Sequence, residues 1–594
     1  MVLKTELVTR FCLHKDRFFT VPLVISFLLK PSNFPSFHYT MTKFHPFFDF
    51  VVFIFLFHHL LLVDSYDGPL YDYTAHTECK LRPEKPLYNG GILKNQALSI
   101  QTIEGSSNAA YSPAFLLHNL TAKTYYSFSS WVKVGGAVST VVRASLRTEN
   151  YTYNCIGTVL AKHGCWSFLK GGFFLNLPSN FSILFFQIFD EGDANIAIDS
   201  ASLQPFTEEE WRVNQQLTIN TVRKRAVTVH VSDKQGGRLE GAVINVKQIS
   251  KDFPFGSAIA KTILGNLPYQ DWFVKRFNAA VFENELKWYA TEPEPGALNY
   301  TIADRMLEFV RANQITARGH NIFWEDPKYT PSWVRNLTGE GLKSAVDSRI
   351  KGLLGRYKDE FIHWDVNNEM LHFDFYEKSL GANATLHFYK TAHEIDPLAT
   401  LFMNEFNVVE TCIDVKSTVD SYIDRLKELK RNGVSMDGIG LEGHFTTPNP
   451  PLMRAILDKL ATLNLPVWLT EVDISNTLNQ ETQAYFLEAV LREGFSHPAV
   501  GGIMLWTALH PYGCYQMCLT DANFKNLPTG DVVDKLLKEW RTEDMEARTD
   551  DHGSFSFYGF LGEYEVSVKY ENRTATSTFP VSVGDETKHI TIQL

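Results

Sequence analysis

The sequence predicts a multidomain protein built around a (β/α)8 barrel, the TIM barrel architecture, with an N-terminal β-sandwich and a small β-sandwich made from the segments flanking the barrel. Three observations support this fold class. The chain has 594 residues, more than one ordinary domain holds. Short strand-like runs separated by Gly, Asn and Pro turns fill the region before residue 207. After residue 254, eight apolar runs alternate with longer helical patterns.

These changes of pattern also predict where the units begin and end. Residues 207–225 are charged and helix-prone and form a connector. The strand-like runs on either side of the barrel are too few to form a core separately, so we expect them to combine into one small sandwich. The predicted units are a leader at 1–65, a β-sandwich at 79–206, a small discontinuous sandwich at 226–250 plus 549–594, and a barrel at 254–540.

The composition and charge narrow the possible partners. Hydrophobic residues make up 44% of the chain and charged residues 21%, which is typical of globular proteins. The formal net charge of -11 offers no basic face for a polyanion, so we predict no nucleic-acid partner. The cysteines lack the paired Cys or His spacing of zinc sites, and we predict no metal.

The leader resembles a secretory signal. A strongly apolar run covers residues 47–63 and follows the short basic segment Met41-Thr-Lys43, which predicts translation from Met41 and cleavage before the folded units. The alternative is an uncleaved membrane anchor, which the short run and Asp49 disfavour. We therefore expect a secreted protein, extracellular or in the cell wall, without stable membrane association after signal cleavage.

Two further features agree with secretion. Six cysteines remain after the leader, a number compatible with disulfides; Cys514 and Cys518 are close enough to pair, and the other pairings stay open. Glycosylation sequons are spread along the chain at Asn119, Asn150, Asn180, Asn299, Asn336, Asn383 and Asn572.

Two glutamates are the candidate catalytic residues. Glu369 closes the fourth barrel run and Glu471 lies near the end of the seventh, so their carboxylates can face each other across the barrel mouth. Glycosidic cleavage with retention uses such a pair, with the carboxyl groups about 5–5.5 Å apart. For either glutamate alone, a salt bridge at the barrel rim is an equally good interpretation.

The barrel region resembles the family-10 glycoside hydrolases, chiefly endo-β-1,4-xylanases, and in particular their plant-type multidomain members. The motifs that carry this resemblance occur in the family's order: Glu283-Asn-Glu-Leu-Lys-Trp288, Glu292-Pro-Glu-Pro-Gly296, Arg318-Gly-His-Asn-Ile-Phe-Trp324, Trp364-Asp-Val-Asn-Asn-Glu369, Gly438-Ile-Gly-Leu-Glu-Gly-His444, Thr470-Glu-Val-Asp473 and Leu505-Trp506. The N-terminal region is similar to family-22 carbohydrate-binding modules at Phe128-Ser-Ser-Trp-Val-Lys-Val134, Gly164–Gly172 and Ile198–Leu203.

The resemblance implies a role for each matched residue. Glu369 would be the acid/base and Glu471 the nucleophile, with His444 orienting and ionising Glu471. Glu283 and its neighbours would hydrogen-bond sugar hydroxyls, and three tryptophans would form apolar walls. The implied substrate-binding residues are Glu283, Asn284, Lys287, Trp288, His320, Trp324, Asn368, Glu442, His444 and Trp506.

The chain departs from the family at several positions. Glu442 stands where the family usually has Gln, and a third carboxyl there predicts an altered pH profile. Glu325 replaces a usual His, and Glu405-Phe406 replaces a usual Asp-Tyr. The loop after the eighth strand lacks the family's second Trp. These changes leave both catalytic glutamates in place.

The predicted function is a retaining endo-β-1,4-xylanase that hydrolyses xylan or xylo-oligosaccharides in the cell wall, needs no cofactor and acts as a monomer. Two alternatives stay open. A xylan endotransglycosylase would use the same glutamates with an acceptor sugar in place of water. A catalytically weak xylan-binding cell-wall protein would agree with the changes at Glu442 and Glu325.

Overall fold

The computed structural model describes residues 66–94, 103–106, 113–135, 139–150, 153–188 and 195–594. The predicted leader therefore lies outside the described residues. The strands are β1 Ile103–Ser106, β2 Ala114–Leu120, β3 Thr124–Gly135, β4 Ser139–Thr148, β5 Tyr153–Lys162, β6 Ser167–Leu175, β7 Ser179–Ile188, β8 Asn195–Thr207, β9 Lys224–Ser232, β10 Val243–Gln248, β11 Phe255–Ile259, β12 Ala279–Phe282, β13 Thr316–Trp324, β14 His363–Asn368, β15 Thr400–Glu405, β16 Gly438–Leu441, β17 His444–Phe445, β18 Val467–Ile474, β19 Val500–Leu505, β20 Met545–Arg548, β21 Ser554–Phe560, β22 Gly562–Tyr570, β23 Arg573–Val581 and β24 Lys588–Gln593.

The α-helices mostly follow the barrel strands. They are α1 Glu208–Arg223, α2 Leu267–Val274, α3 Trp288–Thr291, α4 Thr301–Ala312, α5 Ser332–Arg335, α6 Gly339–Arg356, α7 Phe375–Leu380, α8 Ala384–Ile395, α9 Val419–Arg431, α10 Pro450–Ala461, α11 Gln480–Ser496 and α12 Pro528–Glu539. Among the residues with described placements, none of these helices combines the length and apolarity that a bilayer crossing requires.

Eight parallel strands close into a barrel, which confirms the predicted fold class. The order runs β16-β15-β14-β13-β12-β11-β19-β18, and pairing of β16 with β18 closes the ring. The strands are almost wholly buried because helices cover the outside and side chains fill the interior. The carboxyl ends of all eight strands therefore meet at one face of the barrel.

The N-terminal sandwich consists of two four-stranded sheets, β1-β8-β3-β6 and β2-β7-β4-β5. Its core is an apolar cluster contributed by both sheets, as the alternation of buried and exposed positions requires. A disulfide joins Cys79 to Cys165 across this region. Strands from both flanks of the barrel form two further sheets, β20-β10-β22-β23 and β21-β9-β24, over a shared apolar core.

The N-terminal sandwich is fixed to the barrel by buried charges and a covalent bond. Lys170 on β6 forms a 2.6 Å ion pair with Asp458 on α10, and both side chains are fully buried. Tyr71 donates a 2.8 Å hydrogen bond to the same carboxylate, and His497 Nε2 lies 3.0 Å from it. A disulfide between Cys155 and Cys412 ties β5 to the loop after β15. The two units therefore have a fixed relation.

We expect Asp458→Ala to lower the free energy of unfolding by about 3–5 kcal/mol, because it leaves the Lys170 ammonium buried without its partner. Urea denaturation of the full chain measures this loss. As a control, Lys275→Ala removes an exposed pair with Asp271 and should change stability by less than about 1 kcal/mol. Equal free energies of unfolding for the two variants would contradict a stabilising role of the Lys170–Asp458 pair between the sandwich and the barrel.

Candidate active site

Glu369 follows directly on β14 at the barrel mouth. Its φ of 59° is in the left-handed region, which non-glycine residues adopt rarely and usually where the surroundings enforce it. The backbone N–H of Glu369 donates to the carbonyl of Asn404, and Asn368 Nδ2 donates to its carboxylate at 3.3 Å. Burial, together with the charges of Glu405 and Glu471, raises the pKa of Glu369 to about 8. Its carboxyl therefore holds a proton at neutral pH.

Glu471 lies within β18 and has the opposite electrostatic environment. Burial alone would raise its pKa, but His320, His444 and Lys287 lower the pKa of Glu471 to about 2. His320 Nδ1 lies 3.8 Å from one carboxylate oxygen and His444 Nε2 lies 3.7 Å from the other. The carboxylate is therefore ionised at neutral and mildly acidic pH.

Asn404 on β15 links the two glutamates. Its amide nitrogen lies 2.9 Å from the Asn368 side-chain oxygen and 2.9 Å from Glu471 Oε1, while Thr470 donates to its oxygen. Since Asn368 in turn donates to Glu369, a continuous chain of hydrogen bonds runs from one catalytic candidate to the other. Asn404 is completely buried, so this chain fixes the glutamates relative to each other.

Glu442 brings a third buried carboxyl into the same site. Its Oε1 accepts from Asn404 at 3.2 Å and its Oε2 lies 3.5 Å from His444 Nε2, so it shares both partners with Glu471. Burial and the charges of Glu471 and Glu369 raise the pKa of Glu442 well above its usual range. Ionisation of Glu442 is therefore opposed by the charged carboxylate of Glu471 beside it.

His444 is oriented by an acidic partner on the far side of its ring. Its Nδ1 lies 3.0 Å from Asp473 Oδ1. Although burial alone would lower it, Asp473, Glu442 and Glu471 raise the pKa of His444 well above its usual value. Ligand atoms of Glu442, His444 and Glu471 all lie within 4.8 Å of one another, a spacing that could also hold a metal ion. Glycosidic cleavage by two carboxyls does not require one.

The predicted sugar-binding residues of the second strand lie on one side of the glutamates. Asn284 donates a 3.0 Å hydrogen bond to Glu283 and accepts from Lys287 at 3.3 Å. Burial lowers the pKa of Lys287, and its ammonium lies 4.5 Å from the Trp324 ring centre. His510, from the loop after β19, contacts the Glu283 carboxylate. These groups form a polar cluster suited to hydroxyl groups.

The three predicted tryptophans occupy different positions. Trp324 stacks on Tyr329 at 3.8 Å and stays partly exposed. Trp506 packs edge-on against His320, 5.3 Å between ring centres. Trp288 is only 4% exposed, packs against Trp333 and donates to Glu292 at 2.9 Å. The structure thus brings Trp324 and Trp506 to the Lys287 ammonium and places Trp288 in the packing; its contact with sugar stays a prediction.

Comparison with known proteins identifies a family and relatives to which this chain is similar. Residues 245–526 match the model of glycosyl hydrolase family 10. Endo-1,4-beta-xylanase 5 of Arabidopsis thaliana is 36% identical over 529 residues, covering 86% of this chain and 91% of that protein. The chain belongs to glycosyl hydrolase family 10. It is therefore a glycoside hydrolase.

Two more proteins are similar to this chain. Endo-1,4-beta-xylanase 4 of Arabidopsis thaliana is 35% identical over 540 residues, covering 88% of this chain and 93% of that protein. Among solved structures, xylanase 10B from Thermotoga petrophila RKU-1 in complex with xylobiose is 26% identical, with a TM-score of 0.44, and the match covers 48% of this chain and 94% of that chain.

The residues that depart from the family 10 pattern form hydrogen bonds in the structure. Glu325 is buried, accepts from Asn367 Nδ2 at 2.8 Å and from the Tyr376 N–H at 3.0 Å, and burial raises its pKa to about 7. Glu405 accepts from the Leu371 N–H and contacts His372, whose ring stacks on Phe406. The replacements therefore form hydrogen-bonded networks of their own beside Glu369.

Four polar residues of this family 10 site were not predicted. Asp365 lies 2.9 Å from His320 Nδ1, and Asp473 lies 3.0 Å from His444 Nδ1. Asn404 links the two glutamates, and His510 contacts Glu283. Asp473 carried a usable signal, since a residue two positions from Glu471 on one strand points to the same face. Asn404 and His510 reach their partners from distant parts of the chain.

We expect Glu442→Gln to move the alkaline limb of kcat/KM to lower pH by roughly one unit, because Glu442 and Glu369 each disfavour ionisation of the other and a neutral amide cannot do so. Initial rates on an aryl xylobioside from pH 5 to 10 measure the shift, with Glu340→Gln as the exposed control. An unchanged alkaline limb would show that Glu442 does not titrate with Glu369.

Proposed function

We propose that the protein is a secreted, retaining endo-β-1,4-xylanase that hydrolyses xylan, with Glu369 as acid/base and Glu471 as nucleophile. Family membership supports the xylanase activity. Two relatives named as endo-1,4-beta-xylanases support it as well, and the match covers 91% and 90% of their lengths. The observation that carries the two roles is the contrast between the glutamates: one environment keeps a proton on Glu369 and the other keeps Glu471 ionised.

In the first step, Glu369 gives its proton to the glycosidic oxygen as the bond from that oxygen to the anomeric carbon breaks. A Glu471 oxygen bonds to the same carbon and forms a glycosyl-enzyme. In the second step, water attacks the anomeric carbon, Glu369 accepts a proton from it, and the bond to Glu471 breaks. Protonated His444 and buried His320 and Lys287 would stabilise the Glu471 carboxylate before attack and after release.

The other site residues take the remaining roles in this proposal. Asn368, held by Asn404, would hydrogen-bond the sugar 2-hydroxyl beside the acid/base. The cluster of Glu283, Asn284 and Lys287 would bind hydroxyls on the non-reducing side. His320 would support the sugar at the cleavage point, and Trp324 and Trp506 would contact sugar faces. Trp288 would form a further apolar wall for a sugar face.

Secretion and domain roles belong to the same proposal. The three disulfides, Cys79–Cys165, Cys155–Cys412 and Cys514–Cys518, suit an oxidising extracellular or cell-wall environment. We propose that residues 79–206 are a carbohydrate-binding module, that 254–540 form the catalytic unit, and that the mature chain works as a monomer. Mass analysis of protein from the culture medium would test cleavage of the leader and occupancy of the sequons.

The experiment that tests this function is hydrolysis of xylohexaose by the full chain, followed by proton NMR and by separation of products. We expect internal cleavage, with the β-anomer released first because two displacements retain configuration. An α-anomer as first product would contradict the nucleophile role. Products longer than xylohexaose would favour the transglycosylase, and binding without product would favour the binding protein.

A further inference from the structure

A groove lies between the N-terminal sandwich and the barrel. We call it the junction groove; its cavity is about 290 Å³ in volume. The sandwich contributes one wall, and the other comes from the loops after β15 and β17 and from helices α10 and α11. Its lining includes Tyr125, Asn154, Phe174, Asn176, Tyr485 and Phe486.

The lining of the junction groove has the chemistry of a sugar site. Tyr125 packs against Phe174 with 4.6 Å between ring centres, and Tyr485 lies 5.7 Å from Phe486. Tyr485 is 55% exposed, so its ring has a free face. Asn154 and Asn176 add amides, and Glu410 is the one charged side chain among the described lining residues. Aromatic faces beside amides suit a neutral polyhydroxylated chain rather than an ion.

The groove is also joined to the catalytic site. Glu410 lines it, and the Glu410 carboxylate accepts hydrogen bonds from the backbone N–H groups of Gly443 and His444 at 3.0 and 3.2 Å. His444 is the histidine beside Glu471. The groove therefore adjoins the loop that forms one border of the cleft, on the barrel face to which the strand ends point.

The barrel closes part of the sandwich surface to a sugar. Helix α10 covers β6: a Cβ on Gly172 would lie 2.6 Å from Pro451, and Lys170 is buried against Asp458. Trp131, in the motif that resembles the family-22 modules, is 1% exposed and packs against His76 and Phe168.

We propose that the junction groove is a second binding site for a xylan chain, shared between the sandwich and the barrel, which holds the polysaccharide while another part of it occupies the catalytic cleft. This inference rests on the proposed function. It differs from a sugar site within the sandwich because most of its lining comes from the barrel. The fixed geometry of the two units, set by Cys155–Cys412 and the Lys170–Asp458 pair, keeps the two walls together.

The test is xylan binding in an inactive background, Glu471→Ala, measured by affinity electrophoresis in gels that contain soluble xylan. We expect a further Tyr485→Ala substitution to weaken binding about fivefold, the effect of losing one stacking ring. Tyr485→Phe keeps the ring and should bind like the parent. Phe181→Ala removes an exposed ring from β7, which contributes no residue to the groove lining, and is the matched control.

Three results would overturn the inference. They are parent-like binding by Tyr485→Ala, a loss as large for Phe181→Ala as for Tyr485→Ala, and absence of any xylan binding by the parent. Failure of the proposed function would give a different result. The unsubstituted chain would release no product from an aryl xylobioside, a substrate too short to reach the groove. This outcome is independent of whether the chain binds xylan in the gel.

Discussion

Replacing Glu471 with Ala should lower kcat/KM on xylan by a factor of about 10,000 or more, the scale of loss when a nucleophile is removed. Alanine leaves the anomeric carbon without an attacking oxygen, and the positive groups around the site lose the charge that they stabilise. His320, His444 and Lys287 all contribute to the low pKa of Glu471. Product release from xylohexaose, with limits of detection stated, measures the loss.

Two controls make this result specific to the nucleophile. Glu340→Ala deletes the same group from an exposed position on helix α6 and should keep the activity of the unsubstituted chain. Added azide should restore cleavage of an activated xylobioside by Glu471→Ala and give a glycosyl azide of inverted configuration, since azide attacks from the vacated side. Residual activity above about 10% of the original would exclude Glu471 as the nucleophile.

Replacing Glu369 with Ala should lower kcat/KM on xylan by about 100- to 10,000-fold, the range for loss of general acid catalysis. The substrate decides the size of the effect. A dinitrophenyl xylobioside has a leaving group that needs no proton, so formation of the glycosyl-enzyme should continue and a burst of phenolate should appear. Rapid-mixing kinetics on both substrates separate these outcomes.

The pH dependence gives a second readout for Glu369. Its pKa of about 8 predicts that activity on xylan is present below this pH and is lost as pH rises through it, because the general acid must be protonated. In Glu369→Ala this alkaline limb should disappear from the residual activity. An alkaline limb near pH 8 that survives in the variant would assign the proton to another group, and Glu442 would be the first to examine.

The sequence predicted the barrel well because its signals are local. The apolar runs Phe255–Ile259, His363–Glu369 and Val467–Asp473 correspond to β11, β14 and β18, with the same bounds in the first and one residue of difference in the other two. Strand identity follows from apolar runs of limited length, and a barrel brings all strand ends to one face. The positions of the two glutamates along the chain are therefore sufficient to place them on opposite sides of the barrel mouth.

Other parts of the site depend on contacts between distant residues, which a sequence pattern does not encode. Asn404 reaches Glu471 across 67 positions and His510 reaches Glu283 across 227. Trp288 and Trp506 occur in motifs that predict sugar walls. Packing against Trp333 and His320 leaves them 4% and 5% exposed, and their contact with sugar stays a prediction. The docking of the sandwich on α10 likewise depends on Lys170 and Asp458, whose burial follows from the tertiary arrangement alone.

The most direct test of the two-glutamate mechanism is to trap the glycosyl-enzyme. A 2-deoxy-2-fluoro xylobioside with an activated leaving group forms the intermediate and slows its hydrolysis, so the modified residue can be found by peptide mass spectrometry. We predict that the sugar is attached to Glu471, at one equivalent per chain, with Glu442 unmodified. Attachment to Glu442, or inactivation without any covalent adduct, would contradict the assignment of Glu471 as the nucleophile of this glycoside hydrolase.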